Sequence, residues 1–137
     1  FHIDADDLPQ PSLIKILKHA IKETDSEIIA IPRINIQPDI TEEEVDERKW
    51  DVNEAGFINW PDFQLRVHKN CDYIYWTDTL HTKLTGSDKV SGIKPIPKLA
   101  LWHIKSMDKQ NSRWKKDENG EYNINAPSKT DLYDLLM

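Results

Sequence analysis

The stretch that most constrains the fold lies between a pair of prolines and a run of β-branched residues. Pro9 and Pro11 forbid continuation of a helix from the preceding residues but suit the first turn of a new one. From there to Thr24, apolar residues recur at helical spacing: Leu13, Ile14, Leu17, Ala20 and Ile21. Lysines occupy the opposite side. This pattern predicts a helix from about Pro11 to about Thr24 with one face packed on a sheet.

The segments that follow favour strands. Glu27–Ile36 is rich in β-branched residues, but Pro32 cannot donate to a ladder, which predicts an edge strand or a strand broken at that residue. Phe63–His68 alternates between apolar and polar positions, as a half-buried strand does. Tyr73–Trp76 and Leu99–Ile104 predict two shorter strands. A helix interleaved with strands indicates the α/β class, with a sheet flanked by helices.

Polar segments separate these elements. We interpret residues 37–60 as a polar insertion, within which Thr41 and Glu44 have the spacing of a capping box ahead of a short exposed helix or loop. Further on, Asn119-Gly120 predicts a tight turn, and residues 131–137 predict the start of a final helix.

Composition narrows the class of protein. The 137 residues suit one domain, and five Trp, four Tyr and three Phe suffice for a core. With 18 Lys and Arg against 24 Asp and Glu, the net charge of −6 argues against nucleic-acid binding. No apolar run reaches the length of a membrane span, and the single cysteine, Cys71, cannot form an internal disulfide. We therefore predict a soluble cytoplasmic protein with no transmembrane segment.

The acidic turn 4–7 is the first candidate site. If residues 1–3 end a buried strand, alternation places Asp4 and Asp6 on one side of the chain, at the carboxyl end of that strand. Paired carboxylates favour Mg²⁺ or Mn²⁺, and such ions commonly share their coordination with substrate phosphates. The alternative is a solvated turn that stabilises the next helix through its dipole. His103, on an apolar strand, is either a nitrogen ligand to the same ion or a core histidine.

Five segments, in order, resemble glycosyltransferase family 2 enzymes of the GT-A fold: FHIDADDLP, IPRINI, DFQLRVHKN, IYWTDTLHTKLTG and LALWHIK. The resemblance covers roughly residues 1–105. It implies a mixed sheet flanked by helices and transfer of a sugar from a nucleotide-diphosphate donor to a saccharide, lipid-linked or protein acceptor. It also implies that Asp4 lies near the donor ribose and metal, that Asp6 coordinates Mn²⁺ or Mg²⁺ across the diphosphate, and that His103 completes the metal site.

The acceptor side departs from the family pattern. Where relatives often carry His-Glu, this chain has His81-Thr82, and a threonine hydroxyl cannot serve as the general base. Asp78 is our candidate for the base, and Asp62 is the reserve. We assign His81, which lies in the segment IYWTDTLHTKLTG, to substrate binding.

Two further residues are candidates for substrate binding. Arg66 either contacts a phosphate or acceptor, or forms an ion pair with a neighbouring acid. Trp76 either stacks on a sugar, with Trp60 as a second candidate, or belongs to the core.

The resemblance begins at the Asp-x-Asp strand, without the βαβ half that binds the nucleotide in GT-A enzymes. We therefore expect the chain to be the C-terminal portion of a longer glycosyltransferase domain. Two other interpretations remain open: a glycosyltransferase-like binding or structural module without catalysis, and a haloacid-dehalogenase-like phosphatase with Asp4 as nucleophile and Asp6 as acid. Leu8 stands where the phosphatase pattern expects Thr or Val.

Overall fold

The computed structural model describes residues 1–77 and 82–114. It contains three α-helices and a short 3-10 turn: α1 (Pro11–Glu23), α2 (Glu42–Arg48), α3 (Met107–Trp114) and the turn Pro97–Leu99. Seven strands accompany them: β1 (Asp7–Pro9), β2 (Ile28–Ile36), β3 (Ile58–His68), β4 (Tyr75–Trp76), β5 (Leu84–Thr85), β6 (Val90–Gly92) and β7 (Leu101–Ile104). None of the helices in this part of the chain is long and apolar enough to cross a bilayer.

Five of the strands form one sheet in the order β1-β7-β2-β3, and β6 also pairs with β2. The β2–β6 pairing is parallel and joins Ile28 to Val90 and Ala30 to Gly92. β4 and β5 form a separate antiparallel pair. The protein therefore has the predicted α/β class, with a mixed sheet flanked by helices.

Helix α1 spans Pro11–Glu23, which confirms the predicted bounds. Leu13 and Leu17 are buried in the core, as their spacing of four residues requires. Ile14 and Ile21 are exposed, so the buried stripe is narrower than the pattern predicted. An apolar residue on the rim of an amphipathic face remains in water when the sheet covers only the centre of that face.

Strand β2 runs without a break through Pro32, and it lies between β7 and β3 in the sheet. The prediction of an edge or broken strand was therefore wrong. The parallel register with β6 covers only Ile28–Ala30, so Pro32 lies beyond the part of β2 where that ladder would need its missing donor. The ring is instead fully buried.

The polar segment contains the predicted helix α2, none of whose residues is buried. The capping box is confirmed: Thr41 Oγ1 accepts from the Glu44 backbone at 3.2 Å, and the Glu44 side chain accepts from the Thr41 backbone at 3.0 Å. Helix α3 was not predicted. The turn expected at Asn119 and the helix expected over residues 131–137 lie outside the described residues.

The chain divides into two compact units. The first comprises Phe1–Ile34 and Pro61–Trp102, and it contains both buried apolar clusters. The larger cluster joins α1 to the sheet and consists of Leu13, Leu17, Ile29, Ile31, Val67, Ile93 and Leu101. The smaller one consists of Ile28, Ile74 and Leu84. The second unit comprises Asn35–Trp60 and the chain from His103 onward. The prediction of a single domain stays a prediction.

Candidate functional site at the acidic turn

The acidic turn leads into strand β1, whose first residue is Asp7, and it does not follow a strand. Residues 1–3 have no strand structure, and Phe1 and Ile3 are exposed, so the predicted buried strand end was wrong. The Asp7 backbone N–H donates to the Asp4 carbonyl at 3.1 Å, which folds the chain into a turn. Strand alternation therefore does not decide where the acidic side chains lie. The turn instead brings the side chains of Asp4 and Asp7 to the same partner.

That partner is Arg66, on strand β3 at one end of the strand order. Its Nη2 donates to Asp4 Oδ2 at 2.5 Å and to Asp7 Oδ2 at 2.7 Å. The arginine side chain is 5% exposed and that of Asp7 is 0% exposed. Burial of these charges is tolerated because each has a partner of opposite sign. Of the two alternatives for Arg66, the ion pair is therefore present, and contact with a phosphate stays a prediction.

Asp4 is held from two sides. Its Oδ1 lies 3.0 Å from Nε2 of His2, and its Oδ2 accepts from Arg66. Partial burial acts to raise the pKa of Asp4, but the hydrogen bonds and charges of Arg66 and His2 outweigh it and lower the pKa below its ordinary value. Both carboxylate oxygens are therefore engaged by protein groups.

Asp6 and Asp7 are both buried, and each offers a carboxylate oxygen within 4.8 Å of the other. Two buried oxygen donors at this separation suit a hard divalent cation such as Mg²⁺ or Mn²⁺, because such ions prefer carboxylates and offset their mutual repulsion. The predicted cation thus fits Asp6. Asp7, and not Asp4, is the companion of Asp6, because the ligand oxygens of Asp6 and Asp7 lie within 4.8 Å of one another.

His103, the predicted nitrogen ligand, is the third residue of β7 and is half-buried. It belongs to the second unit, whereas Asp4 and Asp6 belong to the first. β7 is the neighbour of β1 in the sheet order. Its role as a ligand stays a prediction.

The predicted acceptor side is only partly described. Asp78 and His81 lie outside the described residues, and Thr82 is exposed. Asp62, the reserve base, lies on β3 and accepts from Arg33 at 2.6 and 2.9 Å and from Gln64 at 2.7 Å. A carboxylate with both oxygens engaged in this way is a poor general base.

Trp76 is half-buried on β4 and packs against the small cluster of Ile28, Ile74 and Leu84. Its ring centroid lies 5.1 Å from that of His2, with the planes tilted by 45°. The structure thus gives Trp76 a core contact on one side and an aromatic neighbour on the other. His2 links Trp76 to Asp4, and the sequence analysis missed it because an isolated histidine carries no pattern signal.

The site therefore belongs to an α/β protein in which a buried arginine, Arg66, pairs with two acids of the turn that leads into the edge strand β1. No protein-family model, curated protein or solved structure matches the chain.

Proposed function

We propose that the protein is a metal-dependent glycosyltransferase that moves a sugar from a nucleotide-diphosphate donor to an acceptor hydroxyl. The observation that carries the proposal is the buried pair Asp6 and Asp7, where the acidic turn enters β1. The α/β class with a mixed sheet is compatible with the GT-A fold that the five segments resemble. The Asp-x-Asp turn is the part of the resemblance on which the chemistry depends.

Two carboxylate donors are available for the cation, Asp6 and Asp7, and the resemblance implies His103 as a third ligand. When bound, Mn²⁺ or Mg²⁺ would supply positive charge for the diphosphate leaving group. Arg66 has a separate task. It keeps Asp7 oriented and offsets part of the negative charge of the turn, so that the acids remain close together before any ligand arrives.

On the acceptor side, we propose Asp78 as the general base and His81 as a substrate contact, both from the resemblance. A positioned carboxylate that removes the acceptor proton typically contributes about 10² to 10⁴ in rate. Trp76 would contact the C–H face of a sugar ring. The engagement of Asp62 by Arg33 and Gln64 supports the choice of Asp78 over Asp62.

One observation favours a second candidate, a glycosyltransferase-like binding module without catalysis. Arg66 already pairs with both Asp4 and Asp7 and offsets part of their charge, so the turn is held by an internal ion-pair network. In this interpretation the acids stabilise the fold and bind no metal. The phosphatase interpretation is supported less well, because its nucleophile would be Asp4, whose two oxygens are held by His2 and Arg66.

The test is release of nucleotide diphosphate from a panel of nucleotide sugars with Mn²⁺, with the native polypeptide that carries this chain. Asp6→Asn removes one proposed ligand with little change in shape, and we expect release to fall by about a hundredfold. Asp39→Asn, at an exposed acid of the second unit, is the matched control and should change nothing. Mn²⁺ binding by calorimetry on the same variants separates loss of the metal from loss of the fold.

The outcomes separate the candidates. Unchanged release in Asp6→Asn would eliminate the metal assignment. Absence of release with every donor, together with normal folding, would favour the module without catalysis.

A further inference from the structure

The outer side of helix α1 and the 3-10 turn beside it carry a charge opposite to that of the whole chain. Residues 11–22 and 93–100 contain five lysines and no aspartate or glutamate, although the chain has a net charge of −6. These lysines are exposed, and no ion pair joins them to any residue within 1–77 and 82–114. They are Lys15, Lys18, Lys22, Lys94 and Lys98.

Half-exposed isoleucines lie among these lysines. An amphipathic helix ordinarily keeps such residues on its buried stripe, which in α1 contains Leu13 and Leu17. Lys18 is four residues from Ile14 and three from Ile21, so charged and apolar side chains share one side of the helix. The isoleucines, each between 37% and 50% exposed, are Ile14, Ile16, Ile21 and Ile96. We call the five lysines and four isoleucines together the Lys–Ile face.

The 3-10 turn is fixed against the helix, so the Lys–Ile face is preformed. Gln10 Nε2 donates to the Pro97 carbonyl at 2.6 Å and to the Ala100 carbonyl at 3.1 Å. Leu99 packs against the apolar cluster that joins α1 to the sheet. Helix and turn both belong to the first unit. Docking of this face on a surface therefore requires little ordering of the backbone, which favours binding.

The residue types of these two segments favour a lipid surface over a protein or nucleic-acid partner. Protein interfaces are enriched in arginine and aromatic residues and depleted in lysine. Base recognition uses arginine, asparagine and glutamine, and single strands stack on aromatic rings. Residues 11–22 and 93–100 contain no arginine, asparagine, glutamine, phenylalanine, tyrosine or tryptophan. Lysine and isoleucine together suit the lipid boundary, where ammonium groups reach the headgroups and aliphatic groups reach the acyl chains.

We infer that the Lys–Ile face docks on a bilayer surface that contains anionic phospholipid. Helix α1 lies in the plane of the membrane, its lysines contact the headgroups, and Ile14 and Ile21 enter between them. Charges more than about 8 Å from the headgroups are largely screened at physiological salt, so docking depends on the charge of the face more than on the net charge. The inference is independent of the proposed function, because it uses no residue of the acidic turn.

The test is flotation of the native polypeptide with phosphatidylcholine vesicles, with and without about 30% phosphatidylserine. We expect the affinity for the anionic vesicles to be at least about a hundredfold higher, and to fall as salt is added. A lysine near an anionic surface contributes about fivefold to affinity. The triple variant Lys15→Gln, Lys18→Gln and Lys22→Gln should therefore bind about a hundredfold more weakly.

Two control variants separate the face from the overall charge and from charge alone. Lys49→Gln with Lys83→Gln and Lys89→Gln removes three exposed lysines elsewhere in the chain, and the affinity should stay within about threefold of the wild type. Ile14→Asn with Ile21→Asn keeps every charge, and the Kd should rise about tenfold with the same dependence on salt. Thermal unfolding by circular dichroism checks that each variant is folded.

The outcomes decide the inference. Equal binding to neutral and anionic vesicles, or equal losses in the two triple lysine variants, overturns it. An unchanged Kd in the isoleucine variant also overturns it, because charge alone would then explain adsorption. Binding to polyglutamate or duplex DNA but not to anionic vesicles would assign the face to another partner and refute the lipid surface. Vesicle binding that depends on both the lysines and the isoleucines supports the inference, whether or not nucleotide diphosphate is released.

Discussion

The first unit contains two carboxylate networks, which stabilise partly buried negative charge in different ways. At the acidic turn, one buried guanidinium serves two acids, Asp4 and Asp7. In the second network, the Glu27 cluster of Glu27, Lys69, Tyr73 and Ser87, one acid accepts from two hydroxyl groups, while the nearest cation, Lys69, is mostly exposed. The first network is ionic and has Arg66 and Asp7 buried at its centre, and the second consists of hydroxyl hydrogen bonds to a carboxylate that is 13% exposed.

This difference predicts different responses to mutation. Removal of the central group from the buried network leaves unpaired charge inside the protein, which is costly. Removal of one hydroxyl donor from the second network leaves a carboxylate that still has its other hydroxyl donor. Stability should therefore depend more on Arg66 than on Glu27.

The largest effect is expected from Arg66→Met. This change leaves the buried carboxylate of Asp7 without its guanidinium, and the free energy of unfolding should fall by about 3 to 5 kcal/mol. Urea denaturation followed by circular dichroism measures it. Arg33→Met, at a partly exposed pair, should cost about 1 kcal/mol or less. Equal losses in the two variants would show that the burial of Arg66 does not set its contribution.

Gly86→Ala should have the next largest effect. The added Cβ meets the Tyr73 carbonyl, and the backbone has a positive φ, so the loss should be about 2 to 3 kcal/mol. Gly56→Ala is the control, because its φ is also positive but nothing lies within 4 Å of the added atom. A larger loss for Gly56 than for Gly86 would refute the close approach as the cause.

A smaller effect, dependent on pH, is expected at Asp4. Because the folded state lowers the pKa of this acid, its ionised form stabilises the protein above the ordinary value of 3.8, and that stabilisation disappears as the pH falls through the lowered pKa. The difference in unfolding free energy between the wild type and Asp4→Asn should therefore be present at pH 6 and vanish toward about pH 2. Thermal unfolding at a series of pH values measures it, and a difference that persists in acid would contradict the assignment.

The smallest effect belongs to Lys69→Met. Its ammonium is mostly exposed and lies 3.6 Å from Glu27, so salt and water screen the attraction. The melting temperature should stay within measurement error, in low salt and in high salt alike. A clear loss in low salt alone would mean that the Glu27 cluster depends on charge as much as the acidic turn does.

Local patterns predicted the local elements. The bounds of α1, the strand character of β2 and the capping box of α2 all depend on residues close together in the chain, and all are present. The strand expected over residues 1–3 is absent, because a backbone hydrogen bond from Asp7 to Asp4 makes a turn there. Three apolar or aromatic residues were too short a signal to exclude that turn.

The candidate sites depend on contacts that no local pattern contains. Arg66 reaches Asp4 across 62 positions, and Ser87 reaches Glu27 across 60. The sequence pattern placed Arg66 on a polar strand face and offered an ion pair as one alternative, but it could not name the acids. It gave no sign of Glu27, because the role of this residue arises only when two hydroxyl-bearing segments meet beside it.

The long separation between Arg66 and the acidic turn sets an order of assembly. The turn cannot reach its final shape until β3 exists, because the guanidinium that gathers its acids belongs to that strand. Closure of so long a loop carries a large entropic cost that only other, earlier contacts can offset. During synthesis, the acidic segment is therefore in solvent before Arg66 has been added, about sixty residues later. Until then its carboxylates repel one another without the guanidinium that pairs with them.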